Sequence, residues 1–373
     1  VVSAVQERRN NNELQLNGLT TIDAGVAQEL AKFQGRFLTL NGLTTIDVGV
    51  AQELANLQGN LCLSLGGLSV IGKDVACELA KFKGMRLNLN GLITINKDVA
   101  HELAKFKGLA LDLRGLTLID QDTAQELAKF RGDFLGIGLS SIDTETAVEL
   151  ATFNGDELWI GVTTLETSQA REFGKFHGQS LVFDKLSSLD VYQARPLAIG
   201  DYNLWLSGLT TIDSDVARIL VTFHKKKDLS LGVTELNEDT AQELAKFQGD
   251  DLYLDGLKEI DRFAAEALAK FKADGLTLNK LSKIDKLVAS HLAKLRCNVL
   301  QLNGLNVISK KVATNLMQFK GKLELNGLET IDKEVAQIFL SFQGTELCFR
   351  AQRIDSETRS FMHSNERLKK LLE

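Results

Sequence analysis

Proline is almost absent from this chain, with one residue in 373, whereas glycine is abundant, with 30 residues. This balance indicates one glycine-based turn chemistry used many times over. Cysteine is also scarce: Cys62, Cys77, Cys297 and Cys348 show neither paired nor metal-ligand spacing. The pattern argues against a disulfide framework and against a structural zinc site. We therefore expect a fold held together by packing, without cofactors.

Long apolar runs and an excess of basic charge are missing as well. No segment approaches the ~18 apolar residues of a membrane span. The chain opens with Val-Val-Ser-Ala, without a methionine or an apolar signal segment. We therefore expect a soluble chain, processed or partial at its start, whose compartment the sequence does not give. The net charge of −6 argues against a nucleic-acid partner and against an anionic membrane surface, because both require a basic protein surface.

Motifs of catalysis are absent too. The sequence has no Gly-Lys-Ser/Thr phosphate loop, no His-Glu-x-x-His and no Gly-x-Ser-x-Gly. Its five histidines all fall in helical or post-helical segments. Asp250, Asp251 and Asp255 lack the alternating spacing of a calcium loop, and adjacent carboxylates of a strand face opposite ways. We therefore expect no catalytic residue, no metal site and no enzymatic activity.

What the sequence does contain is a tandem repeat of 23 to 25 residues. Each repeat carries the pattern Leu-x-Leu, whose alternation of apolar and outward positions predicts a short strand with one buried face. The predicted strands start at Leu14, Leu38, Leu63, Leu87, Leu111, Leu135, Leu158, Leu181, Leu204, Leu229, Leu252, Leu276, Leu300 and Leu323, with a degenerate last unit at Leu347.

The second half of each repeat predicts a helix. In the first repeat, Asn17-Gly18 favours a turn with a left-handed backbone, and Asp23 stands where a helix N-cap belongs. Apolar residues recur at helical spacing at Val26, Ala27, Leu30, Ala31 and Phe33. Gly35 follows the helix, where a positive φ is common. The repeated phenylalanines predict a buried column: Phe33, Phe82, Phe106, Phe130, Phe153, Phe176, Phe223, Phe247, Phe271, Phe319 and Phe342.

Stacked repeats bury one another's apolar faces in a continuous core. Strands lie ~4.8 Å apart and packed helices ~8–10 Å apart, so the stack should bend toward its strands. The run Leu-x-Leu-x-Gly-Leu-x-x-Ile resembles the leucine-rich-repeat superfamily, and Gly-Leu-Thr-Thr-Ile-Asp is similar to the short repeats of bacterial surface proteins of that kind. The expected fold is an α/β leucine-rich-repeat-like solenoid, with parallel strands on the concave face and helices on the convex face.

The asparagines depart from the common pattern of that superfamily. Asn17 and Asn41, for example, follow the second strand leucine directly, instead of standing three residues beyond it. We therefore expect a different turn in place of the usual asparagine ladder. The resemblance implies recognition of a protein or another ligand on the concave face, which is an analogy of fold.

The repeats suggest one continuous domain with two ends of different character. We expect an N-terminal cap or truncated repeat over 1–13, a solenoid over 14–350 and a helical C-terminal cap over 351–373, with a partner-docking helix as the alternative for the last segment. The eighth repeat is irregular, because Pro196 falls inside its predicted helix. That helix should be shortened or replaced, through drift or as a remodelled loop that serves binding.

The middle residue of each Leu-x-Leu points away from the core, onto the inner face of the sheet. Trp159, Trp205 and Tyr253 occupy this position in alternate repeats, so neighbouring rings should stand ~10 Å apart. Val182 and Ser230 would lie between them. The remaining tyrosines, Tyr192 and Tyr202, belong to the irregular repeat, so that all Trp and Tyr residues lie between positions 159 and 253.

Exposed aromatic side chains on a sheet favour binding, since Trp and Tyr dominate interface hot spots. The predicted binding patch comprises Trp159, Val182, Trp205 and Tyr253, with a rim of Asp184, Asp228, Asp251 and Asp255. An aromatic patch with an acidic rim suits a basic protein partner. We therefore predict a non-enzymatic recognition scaffold. The alternatives are a structural or adhesin-type spacer array and, for the rings, mutual packing that stiffens the sheet.

Overall fold

A computed structural model describes residues 12–59, 61–222, 227–351 and 353–365 of the chain. The chain divides into two compact units, Val1–Asp184 and Lys185–Glu373. We call them the N-terminal unit and the C-terminal unit and describe each by itself.

Among the described residues of the N-terminal unit, eight short strands alternate with seven helices. The strands are β1 (Glu13–Gln15), β2 (Phe37–Thr39), β3 (Cys62–Ser64), β4 (Arg86–Asn88), β5 (Ala110–Leu113), β6 (Phe134–Ile137), β7 (Glu157–Ile160) and β8 (Ser180–Val182). The helices are α1 (Ala24–Leu30), α2 (Val48–Ala55), α3 (Lys73–Leu79), α4 (Lys97–Leu103), α5 (Gln121–Leu127), α6 (Thr144–Ala151) and α7 (Thr167–Phe173). Consecutive strands pair in parallel, in chain order.

The C-terminal unit repeats the same alternation. Its strands are β9 (Asn203–Leu206), β10 (Leu229–Leu231), β11 (Asp251–Tyr253), β12 (Gly275–Thr277), β13 (Val299–Gln301), β14 (Lys322–Leu325), β15 (Thr330–Ile331), β16 (Glu346–Phe349) and β17 (Arg353–Ile354). Its helices are α8 (Val191–Ala198), α9 (Ser214–Leu220), α10 (Glu238–Leu244), α11 (Arg262–Leu268), α12 (Lys286–Leu292), α13 (Lys310–Leu316), α14 (Lys333–Phe339) and α15 (Ser356–His363). Strands β9 to β14 and then β16 pair in parallel, and β15 pairs separately with β17.

The strand leucines set the register of these sheets. Leu14 lies opposite Leu38, and Leu38 lies opposite Leu63, so that identical positions of successive repeats are aligned. All three leucines are buried. The alternation of strand and helix, with this register, confirms the predicted α/β leucine-rich-repeat-like solenoid.

The helices begin where the sequence predicts. The Asp23 carboxylate accepts the Val26 N–H at 2.8 Å, and Asp47 caps α2 in the same way. These bonds satisfy amide groups that the first turn of a helix leaves free. At the other end of the chain, Asp355 caps α15. Residues 366–373 of the predicted helical C-terminal cap lie outside the described residues, as do residues 1–11 of the predicted N-terminal cap.

The phenylalanine column is confirmed. Phe82, Phe106, Phe130 and Phe153 stack with ring centroids 6.0 to 6.3 Å apart and ring planes parallel within 2°. In the C-terminal unit Phe247 stacks on the next phenylalanine of the column at 6.5 Å. The described members of the column are all buried, and Phe223 lies outside the described residues. A buried ring in most repeats, with Leu57 and Leu295 in two of the others, thus forms the spine of the core.

The glycines serve a purpose other than the predicted left-handed backbone. Among the described glycines only Gly59 has a positive φ, of 89°, so that the expectation for Gly18 and Gly35 is wrong. The Cβ position of Gly18 is open, but the glycines that follow the buried phenylalanines have no room for a side chain: a Cβ at Gly108 would lie 2.2 Å from Cζ of Phe106 and 2.5 Å from the Gly84 carbonyl oxygen. Glycine is required because the preceding repeat approaches so closely.

Pro196 does not shorten its helix, which corrects the prediction. Helix α8 runs through it to Ala198 and is eight residues long. A capping box between Asp190 and Gln193 holds the opposite end. Since the helix ends two residues after the proline, the ring removes one backbone donor in the last turn only.

Tyr202 belongs to the core and not to an exposed aromatic window. Its side chain is fully buried, and its hydroxyl donates to the Leu197 carbonyl at 3.0 Å. A Cβ at Gly200 would lie 2.0 Å from the Tyr202 ring, just as the other repeat glycines face a phenylalanine ring. Tyr202 therefore performs in this repeat the packing that phenylalanine performs in the others.

The asparagine ladder is retained at its shifted position, so the expected replacement by another turn is wrong. The side-chain oxygen of Asn17 accepts the Asn41 N–H at 3.0 Å, and that of Asn41 accepts the Gly66 N–H at 2.7 Å. In the C-terminal unit Asn279 and Asn303 accept from the following repeats in the same way. An asparagine placed directly after the strand can reach the next repeat's amide because the strands pair in register.

No helix among the described residues is both long enough and apolar enough to cross a membrane.

Candidate functional site

The outward positions of the strands carry two clusters of aromatic and charged side chains, one in each unit. Trp205 and Tyr253 are half-buried in the C-terminal unit, and Trp159 is half-buried in the N-terminal unit. Each is the middle residue of its Leu-x-Leu, as predicted, and both flanking leucines are buried in the first two cases. The predicted patch thus consists of two parts that have to be considered separately.

In the C-terminal unit the rings of Trp205 and Tyr253 are in contact. Their centroids are 5.1 Å apart and their planes are tilted by 33°, so the predicted spacing of ~10 Å is wrong for this pair. The reason lies in the strand between them. Ser230 is aligned with both aromatic residues and is only 7% exposed. Because its side chain is small, the two rings can lean together across it.

Two carboxylates adjoin this aromatic pair. Asp228 accepts the Asp251 N–H at 3.2 Å, and the Tyr253 hydroxyl donates to Asp251 at 3.4 Å. Burial, followed by mutual repulsion with neighbouring aspartates, raises the pKa of Asp228; burial is also the main cause that raises the pKa of Asp251. Burial and the same carboxylates raise the pKa of Tyr253 to about 12. We call Trp205, Asp228, Asp251 and Tyr253 the acidic aromatic patch.

Neither Asp228 nor Asp251 forms an ion pair within the described residues. The Lys227 ammonium group pairs with Asp201 at 3.4 Å, and its charge lowers the pKa of Asp228 only in part against the larger effect of burial. Asp255, the third predicted rim residue of this unit, accepts the Asn279 N–H at 2.8 Å and so begins the asparagine ladder. Asp255 therefore has a structural contact, which the sequence analysis did not foresee.

In the N-terminal unit Trp159 has aromatic and cationic neighbours. Phe134 lies 6.0 Å from it, with the ring planes tilted by 56°. The guanidinium carbon of Arg114 lies 4.6 Å from the Trp159 ring centroid, and that of Arg86 lies 5.0 Å from the Phe134 ring centroid. The Trp159 indole N–H donates to Glu157. We call Arg86, Arg114, Phe134 and Trp159 the arginine patch.

Arg114 is anchored by a buried carboxylate. Its Nε donates to one oxygen of Asp112 at 2.9 Å and an Nη donates to the other at 2.8 Å. The hydrogen bond to Asp112 is the main cause that raises the pKa of Arg114, with Asp184 and Glu157 adding smaller electrostatic contributions. This two-point geometry fixes both the charge and the orientation of the guanidinium.

The other two predicted site residues of this unit are less prominent. Val182 is aligned with Trp159 in the sheet but is only 4% exposed, so that its side chain offers little contact area. Asp184 acts electrostatically on Arg114. Phe134, Arg86 and Arg114 are not among the residues predicted from the sequence, because none of them is the middle residue of a Leu-x-Leu. The alternation of a strand puts the residues two positions before and after it on the same face, a signal that could have found all three.

Titratable groups elsewhere do not converge on a site. His101 contacts Glu126 at 2.8 Å on the helical side of the N-terminal unit. Within the part of the chain that the structure describes, no three histidine, cysteine or acidic side chains are placed to hold a metal ion.

Comparison with protein-family models finds no match, and comparison with curated protein sequences finds none either. Solved structures do resemble the chain. A leucine-rich-repeat protein of Leptospira interrogans is 16% identical, with a TM-score of 0.36 over 99% of this chain and 97% of that one. A chain of the yeast Rad7–Elc1 complex is 15% identical, with a TM-score of 0.44 over 95% and 90%. A chain of a TLR13–ssRNA13 complex is 18% identical, with a TM-score of 0.46 over 88% of this chain and 48% of that one. At these identities the likeness is one of repeat architecture.

Proposed function

We propose that the chain is a non-enzymatic recognition scaffold, and that the acidic aromatic patch on its sheet face binds a basic segment of a protein partner. The general part, a binding scaffold, agrees with what the leucine-rich-repeat resemblance implies. The specific part concerns Trp205, Tyr253, Asp228 and Asp251.

One observation carries this proposal: two partly desolvated carboxylates adjoin an aromatic pair, and within the described residues neither forms an ion pair. Burial raises the pKa of both Asp228 and Asp251, so their negative charge is costly in the free chain. A lysine or arginine of a partner would offset that cost and could also lie over the Trp205 ring, the best cation–π acceptor among side chains. A cation therefore gains two favourable contacts at one place.

The test uses random peptides displayed on phage and selected against the immobilised chain. We expect the selected peptides to be enriched in Lys and Arg. In the double variant Trp205→Ala/Tyr253→Ala, the free energy of binding a selected basic peptide should become less favourable by at least ~2 kcal/mol, the size expected for a hot spot. Tyr192→Ala is the matched control, because Tyr192 is 67% exposed on helix α8, away from the strands.

Three outcomes contradict the proposal. One is that the wild-type chain selects no basic peptides, which would favour the spacer alternative. Another is that the double variant, shown to be folded by its circular dichroism and thermal unfolding, binds the selected peptide as tightly as the Tyr192→Ala control. A double variant that no longer folds would show that the rings are structural, and would contradict the proposal as well.

A further inference from the structure

The arginine patch of the N-terminal unit differs from the acidic aromatic patch because it contains a cation, Arg86, that forms no ion pair among the described residues, beside the Arg114–Asp112 pair. We propose that it is a separate subsite for an acidic peptide segment, in which Arg86 receives a carboxylate and the rings of Phe134 and Trp159 contact neighbouring apolar groups. The inference goes beyond the proposed function, because it concerns other residues and a ligand of opposite charge.

The sheet holds both arginines over aromatic rings by means of small residues. Arg86, Ala110 and Phe134 are aligned on β4, β5 and β6, so Arg86 reaches Phe134 across an alanine. Gly136 lies between the strands of Asp112 and Trp159. A Cβ at Gly136 would lie 3.1 Å from Cγ of Arg114. The side chain of Arg114 therefore passes directly over this glycine to reach Trp159.

The two arginines differ in the partners of their guanidinium N–H groups. Arg114 is neutralised by Asp112 through two hydrogen bonds, and it provides a fixed surface. Arg86 forms no ion pair among the described residues, while its guanidinium carbon is held 5.0 Å from the Phe134 ring centroid. The positive charge of Arg86 also acts on Cys62. It lowers the pKa of that thiol, although burial has the larger effect and raises it. Arg86 is thus a stacked cation with its donor fork available.

A stacked guanidinium is well suited to bind a carboxylate. Its planar fork matches both carboxylate oxygens, and stacking restricts the side chain before the ligand arrives, which reduces the entropy lost on binding. The exposed parts of Phe134 and Trp159 lie beside it, so that an acidic residue followed by an apolar residue would fit the surface.

Single-stranded nucleic acid also uses arginines and aromatic rings. The surroundings of the arginine patch argue against it. Asp112, Glu157 and Asp184 all lie close enough to act on Arg114, and they would repel a backbone with one negative charge per nucleotide. A single unpaired arginine suits a single carboxylate better than a polyanion.

The experiment uses the same phage-displayed peptide library against the full chain, followed by affinity measurements on a selected acidic peptide. Arg86→Gln should weaken its binding about tenfold, in line with the loss of one charge-assisted hydrogen-bonded contact. Arg86→Lys keeps the charge but loses the planar fork, and it should remain several-fold weaker than the wild type. Arg131→Gln is the matched control, because it removes one exposed positive charge in the same unit, in the loop between α5 and β6 and outside the arginine patch.

Selection of acidic peptides by the wild type, together with a loss specific to Arg86, supports the inference. The inference is overturned if selection against the wild-type chain does not enrich peptides that contain Asp or Glu. It is also overturned if a folded Arg86→Gln variant binds the acidic peptide as tightly as Arg131→Gln does. A third contrary result is that an oligothymidylate displaces the bound acidic peptide more effectively than the free peptide does. Selection of basic peptides serves as an internal reference. It should be unaffected by Arg86→Gln and abolished by Trp205→Ala/Tyr253→Ala, so that failure of one proposal is distinguishable from failure of the other.

Discussion

Small residues decide which large side chains meet on this sheet. Ser230 lets Trp205 and Tyr253 approach to 5.1 Å across the strand between them. Ala110 allows Arg86 to cover the Phe134 ring in the same way. A large residue at either small position would separate the partners on its two sides. The composition of a patch therefore depends on residues that contribute little surface of their own.

The half-buried carboxylates of the acidic aromatic patch should make the chain less stable at neutral pH. Because the pKa of Asp228 is raised above its ordinary value of 3.8, the folded chain binds this proton more tightly than the unfolded chain does. The cost is absent below pH 3.8 and develops as the pH rises through the folded pKa. Asp228→Asn should therefore be more stable than the wild type at neutral pH, by ~0.5 kcal/mol.

That prediction is checked by urea unfolding of both proteins between acid and neutral pH. The difference in free energy of unfolding should approach zero at the acid end. The same variant should bind a selected basic peptide more weakly, because it lacks one negative charge. A variant that is less stable than the wild type at neutral pH would contradict the account.

The close packing around Gly108 leads to a second prediction for a single residue. Gly108→Ala should cost about 1–3 kcal/mol, because the added Cβ meets both the Phe106 ring and the Gly84 carbonyl oxygen. Removing the ring should not rescue it, since the carbonyl oxygen belongs to the backbone of the preceding repeat. The measurement is a double-mutant cycle with Phe106→Ala in urea unfolding. Full rescue by Phe106→Ala would show that only the ring is in the way.

At the scale of elements, capping differs from one helix to the next. The Asp120 carboxylate accepts the Thr123 N–H at 2.8 Å at the start of α5. Hydrogen bonding to Thr123 is the main cause that lowers the pKa of Asp120 below 3.8. Helix α3 has Gly72 at its N-cap instead, and therefore has no side-chain cap. The two helices are otherwise similar in length and position within the repeat.

This difference predicts two changes of opposite sign. Asp120→Ala should cost ~1 kcal/mol, and Gly72→Asp should gain a few tenths of a kcal/mol. Since the pKa of Asp120 is lowered in the folded chain, the stability that it contributes is present above pH 3.8 and is lost as the pH falls through the folded value. Thermal unfolding across this range is the measurement. A Gly72→Asp variant less stable than the wild type would mean that the cap does not form.

The elements themselves could be predicted from the sequence, because their periods of 2 and 3.6 residues are local. What could not be predicted depends on the neighbouring repeat. The space at Gly108 is limited by a carbonyl oxygen 24 positions earlier in the chain, at Gly84. Tyr202 comes two residues after Gly200, whereas most column phenylalanines come two residues before a glycine. Only the packing shows that the tyrosine ring and these phenylalanine rings both lie against a glycine in the core. Likewise, the contact of Trp205 with Tyr253 required knowledge of how far Ser230 is buried.

At the scale of the whole molecule, each repeat buries its apolar face against its neighbours. Stability in such a stack is approximately a sum over repeats and over the interfaces between them. Phe106 has a stacked ring on either side, at 6.0 and 6.1 Å. A loss at this residue should therefore affect the adjacent repeats of its unit first.

Phe106→Ala should cost ~3–5 kcal/mol through the cavity that it leaves. Native-state hydrogen exchange should rise first in the repeats that contain Phe82 and Phe130. A loss below ~1 kcal/mol would contradict the burial of the ring. A uniform rise in exchange from residue 14 to 350 would contradict the local character of the stack.

The central claim is that the outward positions of the strands bind partners, with a basic segment at the acidic aromatic patch. The chain has two tryptophans, and each belongs to one patch, so ¹⁹F NMR of the fluorotryptophan-labelled chain reports on both at once. Trp159→Phe assigns the two resonances. Titration with a selected basic peptide should shift the Trp205 signal and leave the Trp159 signal in place. A basic peptide that binds without perturbing Trp205 would contradict the account.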